Sequence, residues 1–84
     1  MRYKETWAIA FERIEEFFLT EKGVEILGPG KYAYKNSEIR LTELVRRTVG
    51  PLKVPQTCVE ISGADEDAEA IHRKFFLRFV SAGG

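Results

Sequence analysis

The chain has 84 residues and a formal net charge of zero; 31% of its side chains are charged and 44% are hydrophobic. This length suits one domain and excludes a two-domain enzyme, so we predict a single domain over residues 1–84. Balanced charge argues against intrinsic disorder and against a dedicated nucleic-acid or membrane-surface module, which normally carries a strong basic excess.

Cysteine usage and hydropathy bear on where the protein acts. Cys58 is the only cysteine, so no intramolecular disulfide can form, and we predict a reducing, cytoplasmic location. Nine charges among the first 22 residues interrupt any signal-peptide core. There is no run of about 18 consecutive apolar residues, so we expect no membrane span.

The N-terminal segment predicts an amphipathic helix over residues 4–22, followed by Gly23 where a left-handed C-cap would suit. Large apolar side chains recur there at spacings of four, three and four, on one helical face: Trp7, Phe11, Ile14 and Phe18. A β-hairpin is expected next, because residues 24–27 and 31–35 alternate in polarity. The motif between these two segments is a strong turn signal: Gly28-Pro29-Gly30.

The segment after the hairpin has two interpretations. A middle helix capped by Asn36 or Ser37 would run to about Val49, where glycine and proline follow as stop signals. Alternatively, the sheet continues through residues 38–42, because the apolar residues there also fit a period of two. The pattern leaves both interpretations open.

The last third of the chain predicts a short strand and a second long helix. An extended connector over residues 51–56 leads to a third strand over residues 57–62, which is rich in β-branched side chains. After Gly63, acidic residues precede basic ones, the order that a helix macrodipole favours. The apolar stripe of this C-terminal helix has helical spacing: Ala68, Ile71, Phe75 and Phe79.

Together these elements predict a small two-layer α+β domain. Its expected order is an N-terminal helix, a β-hairpin, a middle helix or strand, a short third strand and a C-terminal helix. The aromatic stripes of the helices would pack on one face of the sheet.

Catalysis would have to use the one thiol and the one imidazole, Cys58 and His72. A cysteine in a β-branched strand is typical of a buried apolar residue, and His72 borders an aromatic stripe. The acidic run over residues 65–69 is explained by its place at a helix start, and zinc would need more ligands than one Cys and one His. We therefore predict no catalytic site, no metal and no cofactor, and favour a binding protein over an enzyme.

Surplus apolar side chains at both ends of the chain indicate self-association. Ile9 and Leu19 lie off the stripe of the first helix, and Phe76 and Leu77 widen the stripe of the last one. A domain of this size has little interior to cover both sides of a helix. We predict a non-catalytic protein that forms a homodimer through these residues and binds a protein partner in a regulatory or assembly role.

The basic middle segment supports an alternative function. Four of its side chains would contact phosphates in a small DNA- or RNA-binding regulator: Arg40, Arg46, Arg47 and Lys53. Residues 41–48 and 54–57 resemble the two helices of a helix-turn-helix protein. Nucleic acid is the less favoured partner, because the would-be recognition helix offers few side chains for base edges.

The last four residues resemble the tail of ubiquitin-like sulfur carriers. They end in Gly83-Gly84, and in that family the terminal glycine is activated and thiocarboxylated. The resemblance implies a carrier function as a further alternative. It also implies that residues 74–80 form a strand that leads into the tail, and Phe75, Leu77 and Phe79 do alternate there.

Overall fold

The computed structural model shows a five-stranded antiparallel sheet with two helices packed against it. It describes residues 2–80, apart from the side chains of residues 45–49. In chain order the elements are β1 (Arg2–Trp7), α1 (Phe11–Thr20), β2 (Val24–Gly28), β3 (Lys31–Tyr34), β4 (Ser37–Val49), β5 (Leu52–Gly63) and α2 (Asp65–Phe79). The sheet order is β1-β5-β4-β3-β2, so β1 and β2 are its edges.

The core lies between one face of the sheet and both helices. Successive side chains of a strand point to opposite faces, and the buried set of β4 and β5 includes alternate residues: Ile39, Leu41, Val59 and Ile61. These side chains belong to one cluster with Phe18 of α1 and Phe75 of α2. The other set of strand side chains faces away from both helices, and we call that side of the sheet the helix-free face.

The predicted N-terminal helix over residues 4–22 is wrong in its first half. Residues 2–7 form β1, which pairs with β5, and the helix starts only at Phe11. Tyr3 and Trp7 lie on the helix side of β1. Residues four positions apart share one face in a strand as well as in a helix, so their spacing fits both structures. The residue before the helix, Ala10, makes no side-chain cap, so no polar residue marks where α1 begins.

The predicted middle helix is also wrong, whereas the alternative strand over residues 38–42 is confirmed as part of β4. This strand lies between β3 and β5 and pairs with both. Ser37 does not cap a helix; its hydroxyl donates a 2.6 Å hydrogen bond to the carbonyl of Tyr34 in the β3–β4 turn. Backbone pairing on both sides outweighs the weak helical propensity of this segment.

The remaining elements are mostly confirmed. The hairpin of β2 and β3 forms as predicted, and the strand over residues 57–62 exists as part of β5. The C-terminal helix exists as α2. The prediction of an extended connector over residues 51–56 is wrong, because β5 already begins at Leu52. The helix-turn-helix interpretation is wrong as well, since residues 41–48 and 54–57 lie in strands.

The structure also bears on the sulfur-carrier resemblance. Residues 74–79 belong to helix α2, so the strand that such a carrier would send into its tail is absent here. Gly83 and Gly84 lie outside the described residues. Neither of the two described helices is long and apolar enough to cross a membrane.

Candidate functional site

The four residues predicted to mediate self-association lie in three different places. Ile9 is only 5% exposed and belongs to the core, so the expectation that it faces a partner is wrong. It lies in the link between β1 and α1, where the chain crosses over the core. Leu19, Phe76 and Leu77 are exposed by 47%, 40% and 64%.

Phe76 and Leu77 belong to a larger apolar area on the outer side of α2. Val80, one helical turn beyond Phe76, is exposed by 43%. The ring of Phe76 also makes an edge contact with the half-buried Trp7 of β1, with ring centroids 5.9 Å apart. We call Trp7, Phe76, Leu77 and Val80 the α2 patch.

Leu19 is not part of the α2 patch. The ring of Phe17 contacts Phe79 of α2, and the ring of Phe18 stacks on Tyr32 of β3. Each helical residue is rotated by about 100° from the one before it. Leu19 therefore lies on the side of α1 that faces away from α2, toward the β2 edge of the sheet.

A small polar cluster borders the α2 patch at the seam between β1 and α2. The indole of Trp7 donates a 3.0 Å hydrogen bond to the hydroxyl oxygen of Tyr3, and that hydroxyl donates in turn to the carboxylate of Glu5. Burial, together with the Glu5 hydrogen bond, raises the pKa of Tyr3 to about 12. The phenol therefore stays protonated at neutral pH and acts here as a structural donor.

His72 lies against the same cluster. Its ring centroid is 4.0 Å from that of Tyr3 and 6.0 Å from that of Phe76. The Nε2 atom of His72 is buried without a hydrogen-bond partner among the described residues. This ring is held by aromatic packing against Tyr3 and Phe76.

Cys58 and His72 lie on opposite faces of the sheet. Thr57 and Val59 on either side of Cys58 are buried in the core, so Cys58 points to the helix-free face between Thr6 and Thr42. His72 is on α2, which packs on the other face. A Cys–His pair is therefore ruled out by topology within one chain.

Of the four basic residues in the nucleic-acid alternative, Arg40 lies on the helix-free face and is exposed. Lys53 is exposed near the far end of the β4–β5 hairpin, where it pairs with Thr48. Arg46 and Arg47 belong to β4, but their side chains lie outside the described part of the structure. Arg40 is opposite Glu60, which lies seven residues beyond Lys53 along β5, so these two basic residues are not brought together.

The helix-free face carries a groove of about 480 Å³ that sequence patterns did not reveal. All five strands contribute to its lining and neither helix does. Seven of the lining residues have their side chains on the helix-free face: Arg2, Leu27, Lys31, Glu38, Arg40, Glu60 and Ser62. We call this the helix-free groove.

Sheet register sets the charge pattern of the helix-free groove. Arg40 is directly opposite Lys31 on β3 and directly opposite Glu60 on β5. Glu38, two residues from Arg40 on the same strand, is opposite Ser62. The groove therefore has a row in which two cations stand side by side next to a carboxylate.

Aromatic side chains are absent from the described strand positions on the helix-free face. Tyr3, Trp7, Tyr32 and Tyr34 all pack on the helix side of the sheet. Sheets that bind single-stranded nucleic acid stack bases on exposed aromatic rings. This face offers charge without stacking, which weakens the nucleic-acid alternative.

The part of the chain that the structure describes contains no cluster of His, Cys, Asp and Glu able to hold a metal ion. No protein-family model matches the sequence, and no curated protein is significantly similar to it. Two surfaces of the described structure bear on function, the α2 patch and the helix-free groove.

Proposed function

We propose that the chain is a non-catalytic interaction protein that forms a homodimer through the α2 patch and acts by binding protein partners in a regulatory or assembly role. The observation that carries this proposal is the exposure of Phe76, Leu77 and Val80, three large apolar side chains on one side of one helix. Contiguous apolar area of this kind on a small domain marks an interaction site.

A second copy of the same chain is the occupant that we favour. In a two-fold dimer the same surface of both copies is in contact, so the apolar α2 patch of one copy covers the identical patch of the other. The acidic N-terminal half of the helix, with Asp65, Glu66, Asp67 and Glu69, lies away from this contact.

Sedimentation velocity at tens of micromolar tests this proposal. We expect a dimer for the native chain and a monomer for Leu77→Glu, since two buried leucines are lost and two charges would be desolvated. The dimer should weaken by about 100-fold or more. Leu52→Glu is the matched control, because Leu52 on β5 is 66% exposed and lies outside the α2 patch.

Circular dichroism checks that each variant is folded. A native chain that sediments as a monomer, or a Leu77→Glu variant that dimerises like Leu52→Glu, would show that the proposal is wrong.

A cytoplasmic location remains part of this proposal, supported by the single cysteine and its lack of an intramolecular disulfide partner. The DNA- or RNA-binding alternative is left with Arg40 and Lys53 as its described candidates. It predicts retardation of a single strand or duplex at low salt that disappears steeply as salt rises.

A further inference from the structure

The side-by-side cations of the helix-free groove are an unusual arrangement for a sheet. Lys31 and Arg40 are direct cross-strand partners on the same face, which places their Cβ atoms about 5 Å apart. Like charges that oppose each other directly destabilise a sheet. Neither side chain forms a salt bridge with any residue that the structure describes.

The backbone under these two cations is fixed. The next cross-strand pair, Tyr32 with Ile39, is almost fully buried, with each residue 1% exposed. On the other side, the amide of Leu41 donates a 2.8 Å hydrogen bond to the carbonyl of Gly30. The two cations therefore extend from a rigid part of the sheet and cannot separate by moving the strands.

The groove around the pair has the size of a small-molecule site. Its volume of about 480 Å³ lies within the range of ligand pockets, which is roughly 300–1,000 Å³. Leu27 on β2 is 52% exposed and lines the groove beyond Lys31. A ligand that fills the space would therefore meet two neighbouring cations and the apolar side chain of Leu27.

We propose that the helix-free groove binds a small organic phosphate monoester, with its phosphate between Lys31 and Arg40 and its organic part against Leu27. A phosphate monoester carries a charge of about −1.5 to −2 at neutral pH, which matches the two cations. Arginine and lysine are the side chains that contact phosphate oxygens most effectively. Bound phosphate would relieve the repulsion that the empty pair retains.

The neighbouring carboxylates limit the ligand to a compact anion. Glu60 is directly opposite Arg40 on its other side, and Glu38 is two residues away on β4. Both line the groove. A nucleic-acid backbone crossing this face would bring further phosphates against these carboxylates, whereas a single phosphate between Lys31 and Arg40 is on the side of Arg40 away from Glu60. The site is on the opposite face from α2, so it does not depend on the proposed dimer.

Titration with phenyl phosphate at low ionic strength, followed by amide chemical shifts, tests this proposal. We expect shifts confined to β3, β4 and β2, and affinity that falls by about tenfold or more in both Lys31→Gln and Arg40→Gln. Lys22→Gln, which removes an exposed charge from the α1–β2 loop, is the control and should bind like the native chain. Binding should also weaken below about pH 6, where the phosphate takes up its second proton.

Three comparison ligands separate the possible sources of phosphate. Inorganic phosphate should bind more weakly than phenyl phosphate because it leaves Leu27 uncovered, and a single-stranded oligonucleotide should not compete. Vesicles with phosphorylated lipid headgroups should not bind the chain, because a flat surface does not fill a groove. The proposal is overturned by equal affinity for inorganic and phenyl phosphate, by tighter oligonucleotide or vesicle binding, by equal loss in Lys22→Gln, or by no shift at millimolar phenyl phosphate.

Discussion

The hydroxyl of Thr57 donates a 2.8 Å hydrogen bond to the backbone carbonyl of Ile9, and both residues are buried. This bond ties β5 to the link between β1 and α1. Thr57→Val keeps the shape of the side chain but leaves that carbonyl unsatisfied, so the free energy of unfolding should fall by about 1–3 kcal/mol in urea denaturation. Thr42→Val, at an exposed position of β4, should change it by less than about 0.5 kcal/mol. Equal stability of the two variants would contradict the role assigned to this bond.

Gly63 ends β5 in a conformation that only glycine adopts readily, with φ +136°. An added Cβ would overlap the carbonyl oxygen of Asn36 and the Cα of Ser37, and both are backbone atoms that cannot move aside. We expect Gly63→Ala to cost more than about 2 kcal/mol, a fall in Tm on the order of 10 °C for a domain of this size. Gly28→Ala is the control, since no atom lies within 4 Å of its added Cβ. A similar Tm for both variants, measured by calorimetry, would refute this explanation.

The raised pKa of Tyr3, about 12, predicts how stability depends on alkaline pH. In the unfolded chain the phenol ionises near pH 10, whereas in the folded chain it holds its proton longer. Its stabilising contribution is therefore complete below about pH 10 and is lost as the pH rises toward about 12. Tyr3→Phe should show a flatter decline in the free energy of unfolding across this range. Tyrosinate absorbance should show that the variant has one fewer phenol that ionises well above pH 10. An unchanged titration would contradict the prediction.

The separation of Cys58 from His72 by the sheet predicts independent chemistry for the two groups. Cys58 is 8% exposed, so iodoacetamide should label it slowly in the folded protein and quickly in urea. The rate at which Cys58 is labelled should be compared between the His72→Gln variant and the native chain. The ratio of these two rates should stay constant between about pH 6 and pH 9. A drop of an order of magnitude in that ratio would indicate that the imidazole activates the thiol.

The parts of the fold that could be predicted from the sequence carry local signals. The acidic start and basic end of α2, with Phe75 and Phe79 on one stripe, mark a helix without help from the rest of the chain. Glycine at positive φ in the turn at Gly30 marks the β2–β3 hairpin in the same way.

The errors arise where two periodicities fit one segment. Tyr3, Trp7 and Phe11 satisfy a helical spacing, but Tyr3 and Trp7 also lie on one face of a strand, and only pairing with β5 decides between them. The same holds for Ile39 and Leu41 of β4, which has strands on both sides. Pairing between residues far apart in sequence is not visible in a local pattern.

The two candidate surfaces also differ in how far a local sequence pattern could predict them. The exposure of Leu77 follows from its position opposite the helical stripe, so the sequence pattern predicted half of the α2 patch. The contribution of Trp7 depends on β1 being an edge strand beside α2, which no pattern indicated. The helix-free groove requires the complete strand order, since Lys31, Arg40 and Glu60 come from three different strands.

The pairing of β1 with β5 has a consequence for how the chain is synthesised. Residues 2–7 leave the ribosome before their sheet neighbours at residues 57–62, which follow some fifty to sixty positions later. Such distant pairing slows folding, because a long loop has to close before the contact is gained. Until then the nascent chain carries an unprotected Trp7 and a partnerless strand, so chaperone binding and translation speed should affect the yield of this protein more than that of a helical domain of equal length.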